Sequence, residues 1–356
     1  VYVQKFKIKL KLTVACNSNI GKERILKKFF TLSKLMNTED FVKINTIDCK
    51  GKPENFFNNF SSESKMIGSI VSVPDQLHYC WIKELLSKKI PTLTVKPLTL
   101  DIEDAIELMN LSKKYNVPSF VEFHKRYDKQ IRYARDSFLS NKFGDLLYTY
   151  TEYTQRKLIP TDTFKEWSDK TNILSYLGVH YIDAIHYITN AKPEKVMATG
   201  QKVFLKSKGI DTFDSIQCNV EWITPNGLSF NQTLLCSWVE SNLSSAMSSQ
   251  NINLVFSRGR INCEQKERGI SILNDESALE HINPDFCRQY SQEDFLTFEG
   301  YGIDAYINYL HLISENKLFI NDRRVCNFHE GCISTSVIDA AYKSLNCKSS
   351  WVKIIN

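Results

Sequence analysis

Apolar positions in residues 1–122 recur alternately with the period of a strand and the period of a helix. The stretch 68–73, Gly-Ser-Ile-Val-Ser-Val, has almost no polar face, which is typical of a strand inside a parallel sheet. The pattern predicts strands at 9–16, 41–48, 68–73, 92–95 and 117–123, with helices at 18–32, 77–87 and 102–114. Repeated strand–helix units of this kind predict a Rossmann-like, doubly wound parallel sheet.

After residue 122 the rhythm changes, and long alternating strands become frequent. Asn226-Gly227 between two of them is a strong hairpin signal. The pattern predicts strands at 146–155, 195–203, 215–222, 228–239, 251–256, 259–265 and 269–273, and helices at 131–139, 177–188, 301–314 and 332–345. We therefore expect two domains in an α/β protein: a parallel-sheet domain over 1–122, and an α/β domain with a largely antiparallel open sheet over 123–356.

Composition narrows the possible partners. The chain has 356 residues, 42% hydrophobic and 24% charged, so it is globular and longer than the ~250–300 residues that one core usually serves. Its longest apolar runs fall far short of the ~20 residues of a membrane span. The net charge is only +5, and Lys5, Lys7, Lys9 and Lys11 alternate with apolar residues, which favours one solvated strand face over a nucleic-acid-binding arm. We expect neither nucleic acid nor membrane among the partners.

The ten cysteines do not indicate a metal site, because no pair forms C-x-x-C. An even number of cysteines would permit disulfides, but a chain of this length does not need them and shows no secretory signal. We expect reduced thiols, no bound metal and a cytoplasmic location.

Five short motifs occur in a fixed order along the chain. They are Val73-Pro74-Asp75-Gln76-Leu77-His78, Thr94-Val95-Lys96-Pro97-Leu98, Val121-Glu122-Phe123-His124-Lys125-Arg126-Tyr127-Asp128, Leu177-Gly178-Val179-His180-Tyr181-Ile182-Asp183 and Val337-Ile338-Asp339-Ala340-Ala341-Tyr342-Lys343-Ser344. Each alone is weak. Together they resemble the glucose–fructose oxidoreductase, inositol dehydrogenase and MocA (Gfo/Idh/MocA) family, whose motifs read T-P-N-x-x-H, C-E-K-P-L, V-G-x-N-R-R-F-D, D-x-G-x-H-x-x-D and V-x-E-A-x-Y-x-S.

The resemblance implies a Rossmann domain that holds NAD(P) and a C-terminal domain that binds substrate. It implies hydride transfer between nicotinamide and a hydroxyl or ketone of a sugar, cyclitol or sugar nucleotide. It also implies a homo-oligomer, since many relatives assemble through the outer face of the C-terminal sheet. The residues that it places near the cofactor are Asn17, Ser18, Ser72, Val73, Pro74, Leu77, His78, Val95, Lys96, Pro97, His124 and Arg126.

The start of the chain departs from the family pattern. No G-x-G-x-x-G occurs in the sequence, and the 9–16 strand resembles the family's second strand. We therefore expect the first strand and the phosphate loop to lie before Val1, and the chain as given to bind dinucleotide poorly and to aggregate. The alternative is that residues 1–12 rebuild the strand and a glycine-free site.

The residues after the 9–16 strand bear on the choice of cofactor. Asn17 and Ser18 stand where a carboxylate usually holds the ribose of NAD, and Lys22 and Arg24 follow closely. This favours NADP weakly over NAD; the alternative for the two cations is that both face solvent from the helix.

Three residues carry the catalytic hypothesis. Lys96 follows a buried strand, where desolvation would lower its pKa and suit it to bind the reacting oxygen; otherwise it is an ordinary surface lysine. His180 can exchange a proton with a hydroxyl near neutral pH, or it is a core histidine. Tyr176 replaces the family's aspartate one turn earlier, either as a phenol whose phenolate Lys96 stabilises or as a packing aromatic. We expect all three in one cleft at the domain junction.

Other assignments rest mainly on the resemblance. Trp167 and Asn172 would line a sugar pocket together with Lys96, Tyr176 and His180, and Arg126 would lie near cofactor or substrate unless it is a solvated charge. A non-catalytic dinucleotide- or sugar-binding regulatory protein is the alternative function, and the presence of both Lys96 and His180 favours the enzyme. Substrate identity depends on pocket shape and is not determined by these motifs.

Overall fold

The computed structural model describes residues 1–60, 65–319 and 321–355 of the chain. Its first part alternates strands and helices as predicted. The elements are α1 (Tyr2–Phe6), β1 (Leu10–Cys16), α2 (Asn19–Leu35), β2 (Val42–Asp48), α3 (Pro53–Asn59), β3 (Ser69–Val71), α4 (His78–Ser87), β4 (Thr92–Val95), α5 (Ile102–Tyr115) and β5 (Ser119–Glu122). Each predicted strand and helix of this part is confirmed, although β3 is only three residues long.

The second part carries the larger sheet. Its elements are α6 (Lys129–Leu139), β6 (Leu146–Arg156), α7 (Val179–Thr189), β7 (Lys192–Gln201), α8 (Phe204–Ser207), β8 (Ser215–Ile223), β9 (Ser229–Glu240), β10 (Ser248–Phe256), β11 (Gly259–Glu264), β12 (Ile270–Ile272), β13 (Glu280–Ile282), β14 (Arg288–Ser291), β15 (Leu296–Glu299), α9 (Tyr301–Ser314), β16 (Cys326–Asn327), α10 (Phe328–Asn346) and β17 (Val352–Lys353). The short elements α8 and β13–β17 were not predicted, because their patterns are too brief to show a period.

The opening residues do not form the solvated strand face that their alternation suggested. Residues 2–6 are helical, with Tyr2 and Val3 buried, and Lys7 ends the helix in a left-handed conformation at φ 56°. The Tyr2 hydroxyl lies 2.6 Å from Ser314 Oγ in α9. Tertiary contacts with α9 therefore override the period of two, and the predicted strand was wrong for Lys5, although the four lysines are exposed to solvent as expected.

The parallel strands of the first part lie in two separate sheets. β1 and β2 pair with each other, while β3, β4 and β5 pair in register, with β16 added antiparallel to β5. Within the described residues, no strand joins the two groups. The doubly wound fold class is confirmed, but its parallel strands form two separate sheets, one of β1 and β2 and the other of β3, β4 and β5.

The large sheet has seven strands in the order β11-β10-β6-β9-β8-β7-β17. Neighbours run antiparallel except β6 and β9, so the prediction of a largely antiparallel sheet is confirmed. In β6, Thr149 and Thr151 are buried on one face, whereas Tyr148 and Tyr150 are exposed on the other. The sheet is thus covered on one side and leaves an aromatic face open.

The end of the chain returns to the first part. β16 extends the sheet of β3–β5, and α10 packs against both α5 and β7. A Cβ added at Gly331 would lie 2.8 Å from Val121 Cγ2, so glycine permits this close approach of α10 to β5. The predicted boundary at 122/123 stays a prediction, since residues beyond it complete the first sheet.

A buried ion-pair network holds the junction together. Arg126, in the 3₁₀ turn His124–Tyr127 after β5, is fully buried and binds both carboxylate oxygens of Asp183 in α7 at 2.6–3.2 Å. Its Nη1 also donates to Glu330 Oε2 of α10 at 2.7 Å and to the Arg323 carbonyl at 3.1 Å. One guanidinium therefore connects the end of the parallel sheet to two helices of the second part.

Replacing Arg126 by methionine should destabilise the protein strongly. The substitution leaves Asp183 and Glu330 buried without their shared cation, which typically costs ~3–5 kcal/mol. Urea unfolding followed by tryptophan fluorescence measures the loss. Arg132→Met, at an exposed position of α6, is the matched control and should leave the midpoint unchanged. Equal midpoints for Arg126→Met and the wild type would contradict the structural role of this network.

Candidate functional site

The site forms where β3, β4 and β5 end at the same edge of their parallel sheet. The turn Val73-Pro74 follows β3, Lys96-Pro97 follows β4 and His124 follows β5. Because ligands of open α/β sheets bind outside the carboxyl ends of the strands, this edge is the expected location of chemistry.

His78 fixes the spacing of two of these turns. Its ring is fully buried, with Nδ1 2.7 Å from the Pro97 carbonyl oxygen and Nε2 3.1 Å from the Val73 carbonyl oxygen. A neutral imidazole can donate to one of these oxygens at a time. The contacts make His78 a brace behind the Lys96 turn, whereas Ser72 and Pro74 are exposed in front of it and Leu77 packs against the core.

Lys96 reaches from the end of β4 to the second part of the chain. Its Nζ donates to the Tyr176 carbonyl at 2.7 Å and lies 4.1 Å from the centroid of the Tyr176 ring. Burial lowers the pKa of Lys96 to about 8, and the nearby carboxylates of Asp75 and Glu122 oppose that shift in part. The amine is thus poised between its charged and neutral forms slightly above neutral pH, as the sequence hypothesis requires.

Tyr176 forms one wall of the site. It lies in the π-helical turn Leu174–Gly178, and the Asn172 Oδ1 caps this turn by accepting from Ser175 N at 2.7 Å. Its ring packs against Phe164, Trp167 and Trp238 with centroids 5.3–5.8 Å away. Trp167 and Asn172 are therefore both close to Tyr176, one through its ring and the other through its backbone.

The phenolate hypothesis for Tyr176 is disfavoured by this arrangement. Lys96 contacts the ring face and the carbonyl of Tyr176, and no hydrogen bond to its hydroxyl is described. Burial raises the pKa of Tyr176, and the negative charge of Asp75 raises it further. The phenol is held neutral, so the packing interpretation fits the geometry better.

His180 lies in the first turn of α7, one turn after Tyr176, and only 3% of its surface is exposed. Its ring contacts those of His124 and Tyr153 at centroid distances of 4.6 and 6.1 Å. Its Nδ1 is buried and has no hydrogen-bond partner among the described residues. Burial, together with the positive charges of His124, Lys96 and Lys125, lowers the pKa of His180 well below its usual value. The ring is therefore a neutral base with an unused nitrogen.

Gly178 places α7 close to the large sheet. A Cβ at this position would lie 3.1–3.4 Å from side-chain atoms of Leu174, Cys236 and Leu234. Glycine thus permits the close approach of this turn to β9, and His180, two residues further on, contacts Tyr153 of the same sheet.

Two carboxylates of the site, Asp75 and Glu122, were not singled out by sequence reasoning, whereas Lys125 was expected with Arg126 near the cofactor or substrate. Buried Asp75 accepts from Thr171 Oγ1 at 2.6 Å, and buried Glu122 has Oε1 3.2 Å from His124 Nδ1. Lys125 is buried, donates to Gln250 Oε1 at 2.7 Å, and has its pKa lowered to about 8 by burial. The two carboxylates and the amine of Lys125 lie inside the quoted motifs, but only their burial distinguishes them from surface charges.

Two aromatic residues from a distant segment also reach the site. Phe286 and Tyr301 lie 5.4 and 5.8 Å from the His124 ring centroid. They follow short strands with no clear period, so no sequence signal connected them with the motifs.

The candidates at the start of the chain lie apart from this cluster. Asn17 and Ser18 are exposed after β1, and Ser18 Oγ accepts from Gly21 N at 3.1 Å as the cap of α2. Lys22 and Arg24 are both exposed on α2, the alternative that the sequence left open. Arg126 is neither a solvated charge nor an open ligand donor, because Asp183, Glu330 and the Arg323 carbonyl occupy its Nε and Nη atoms. Val95 ends β4 half-buried, next to Lys96.

The fold combines parallel strands in its first part with a large mixed sheet in its second, and Lys96 and His180 lie within electrostatic reach of each other where the parallel strands end. Residues 131–261 match the GFO/IDH/MocA C-terminal domain. The resemblance drawn from the five motifs is confirmed.

Curated relatives match over part of their length. The rhizopine catabolism protein MocA of Rhizobium meliloti is 21% identical over 38% of this chain and 43% of its own. An inositol 2-dehydrogenase of Leifsonia xyli is 27% identical over 28% of this chain and 32% of its own. The chain thus spans less than half the length of these relatives in the matches.

Solved structures match over nearly the whole chain. The inositol dehydrogenase homologue of Azotobacter vinelandii, determined with NADH and myo-inositol, has a TM-score of 0.70 at 14% identity and covers 97% of this chain and 98% of its own. At this identity the likeness establishes the fold alone.

Within the described residues, no helix is long and apolar enough to cross a membrane, and no group of three His, Cys, Asp or Glu side chains is arranged to hold a metal.

The lowered pKa of Lys96 should make stability depend on pH. Because its pKa is about 8 in the folded protein and 10.5 in the unfolded chain, unfolding takes up a proton between these values, and stability rises with pH there. Lys96→Met removes this gain, which approaches ~3 kcal/mol if the full shift applies. Urea midpoints of the wild type and Lys96→Met from pH 8 to 10 measure it, with exposed Lys142→Met as control. Parallel pH profiles for Lys96→Met and the wild type would contradict the desolvated amine.

Proposed function

We propose that this protein is a nicotinamide-dependent oxidoreductase that acts on a hydroxyl or ketone of a sugar, cyclitol or sugar nucleotide. The observation that carries the proposal is the juxtaposition of two unlike bases. Lys96 has an amine with a lowered pKa, and His180 has a buried, unpartnered Nδ1 within electrostatic reach of it. Displaced pKa values at strand ends and a domain junction are typical of acid–base sites.

The residues present fit the two ends of a dinucleotide. Asn17 and Ser18, exposed after β1, would hold the adenine ribose, and Val73, Pro74 and Pro97 would border the nicotinamide. The orphaned Nδ1 of His180 fits a polar partner on the substrate side. When bound, the nicotinamide supplies or accepts the hydride. No glycine loop of the G-x-G-x-x-G type occurs in this sequence to receive its phosphates.

The chain's own residues then manage the proton. A protonated Lys96 would hydrogen-bond the reacting oxygen and stabilise negative charge as it develops there. Neutral His180 would accept the hydroxyl proton during oxidation and return it during reduction. Phe286 and Tyr301 would limit water around the His124 and His180 rings, which keeps both electrostatic interactions strong.

A polyol substrate is supported by the polar and aromatic groups around Lys96. Asn172 and Trp167 lie beside Tyr176, and rings of this kind pack against the apolar faces of sugars while amides bind their hydroxyls. The names of the relatives, MocA and inositol 2-dehydrogenase, favour the same substrate class.

In a form of the protein that binds dinucleotide, Lys96→Met should abolish turnover while leaving most dinucleotide affinity, because the amine serves the reacting oxygen. His180→Ala should lower kcat by roughly 10²–10⁴-fold, the usual contribution of a positioned acid–base group. Reduction of NAD(P) by a panel of inositols and sugars, followed by absorbance, measures both effects. Lys142→Met is the control for a distant lysine. A near-normal kcat in either variant refutes the role of that residue.

We also propose a weak preference for NADP over NAD. No carboxylate follows β1, where Asn17 and Ser18 can donate hydrogen bonds to a 2′-phosphate. Exposed Lys22 and Arg24 on α2 would add attraction only through solvent. The ratio of kcat/KM for the two cofactors tests this. Lys22→Gln with Arg24→Gln should lower it modestly, and a tenfold or greater preference of the wild type for NAD overturns the proposal.

A non-catalytic, ligand-binding role is the second candidate. It is favoured by Tyr176, which stands where relatives carry an aspartate, and by the engagement of Lys96 with the Tyr176 carbonyl. Saturable binding of NADH or of a polyol, without any turnover across the substrate panel, would support this role against the enzyme.

We also propose a homo-oligomeric assembly and a cytoplasmic location. The open face of the large sheet exposes Leu147, Tyr148 and Tyr150, and we expect homo-oligomers to form through it. All ten cysteines are free thiols, which is consistent with the expected cytoplasmic location.

A further inference from the structure

A second pocket lies away from the Lys96–His180 site. It is a cavity of about 380 Å³ where the middle of α6 and the end of α7 meet the start of α10. Its volume falls within the ~300–1,000 Å³ of small-molecule sites. The lining residues are Arg135, His186, Asn190, Arg323, His329 and Glu330. None of them is a candidate of the oxidoreductase site, so the pocket needs an explanation of its own.

The pocket contains more basic than acidic side chains. Two arginines and two histidines line it, against one carboxylate, Glu330. That carboxylate is already used: Oε2 accepts from Arg126 Nη1 at 2.7 Å, and Oε1 lies 2.5 Å from Arg323 Nη1. Burial lowers the pKa of Arg135, and the positive charges of Arg323 and Arg126 lower it further, while Glu330, which is shared with both of those arginines, opposes the shift only in part. An anion in the pocket would relieve this repulsion.

Both arginines keep unused donors. Arg135 Nη1 donates to the Tyr187 carbonyl and, at 3.3 Å, to Asn190 Oδ1, while no described hydrogen bond uses its Nε or Nη2. Arg323 Nη2 donates to the same Asn190 Oδ1 at 3.0 Å. Arg323 Nε is buried and has no partner among the described residues. Asn190 thus holds two guanidinium groups side by side, with N–H groups left over.

The two histidines of the pocket differ in position and in hydrogen bonding. His186 Nδ1 lies 2.9 Å from the Ala191 carbonyl oxygen, which can only accept, so Nδ1 carries the hydrogen. Burial lowers the pKa of His186, so its Nε2, 3.9 Å from Glu330 Oε1, is held as an acceptor and adds no donor to the pocket. His329 is exposed in the first turn of the 19-residue helix α10, whose positive end faces the same pocket.

From these contacts we propose that the pocket binds a phosphate-class oxyanion, either free or as the charged group of a small phosphate ester. Arg135 presents its Nε and Nη2 as a fork that matches tetrahedral and planar oxyanions, and the guanidinium of Arg323 adds a second positive charge beside it. The proposal is independent of the oxidoreductase assignment, because it uses other residues and another cavity.

Calorimetric titration with inorganic phosphate, at constant ionic strength in chloride, tests the proposal with a probe of known chemistry. The wild type should bind one phosphate per chain with a dissociation constant in the millimolar range or below. Binding of that strength approaches saturation at about 10 mM phosphate, so the titration can measure it. Arg323→Gln and His329→Glu, both at the solvent side of the pocket, should weaken binding by about tenfold or more. Arg132→Gln, an exposed arginine of α6, is the matched control and should bind like the wild type.

Arg135 also stabilises the end of α7 through the Tyr187 carbonyl. Arg135→Gln loses the bond to the Tyr187 carbonyl and can unfold the end of α7, so Arg323→Gln and His329→Glu decide the outcome if it does not fold. Glycerol phosphate, titrated in a second arm, separates the two sources of the oxyanion: tighter binding than inorganic phosphate indicates an ester, and equal binding indicates the free ion. No phosphate heat above the chloride control, or unchanged affinity in Arg323→Gln and His329→Glu, overturns the proposal.

Discussion

The position of His180 depends on the buried guanidinium of Arg126. Arg126 comes directly after the last parallel strand and binds Asp183 in α7 and Glu330 in α10, so a single side chain fixes both helices against the sheet edge. His180 lies on α7 less than one turn before Asp183. A buried charge without a partner is very costly, which makes this geometry strongly preferred over alternatives that separate the three groups.

The arrangement of the sheet edge sets the electrostatics of the cleft. Lys96, Lys125 and His124 surround His180, while Asp75 and Glu122 lie close to Lys96. Burial lowers the pKa of Lys96, Lys125 and His180, and the positive charges near His180 lower its pKa further. The result is a lysine that titrates near pH 8 beside a histidine that stays neutral, a pairing suited to holding an oxygen and moving its proton.

Local patterns were sufficient to predict most of the fold. The apolar run of β3, the helical spacing of α4 and the alternation of β8 and β9 each lead to the observed element. The order of the motifs also predicted that Lys96, Tyr176 and His180 lie in one cleft. Two features could not be predicted because they depend on tertiary contacts: the helix at Tyr2–Phe6 and the burial of Arg126. The side of Tyr176 that faces Lys96 is likewise set by packing against Trp167 and Trp238.

The central claim is that Lys96 and a neutral His180 share a polyol site, and the histidine ring reports on it directly. NMR of histidine-labelled protein, with the His180 signal assigned through His180→Asn, follows the ring during acidification and during titration with myo-inositol in the presence of NADH. The account predicts a ring that stays neutral well below the ordinary histidine pKa of ~6.5, and whose signal shifts on addition of inositol in the wild type but less in Lys96→Met. A ring that titrates near its ordinary pKa and ignores inositol would contradict it.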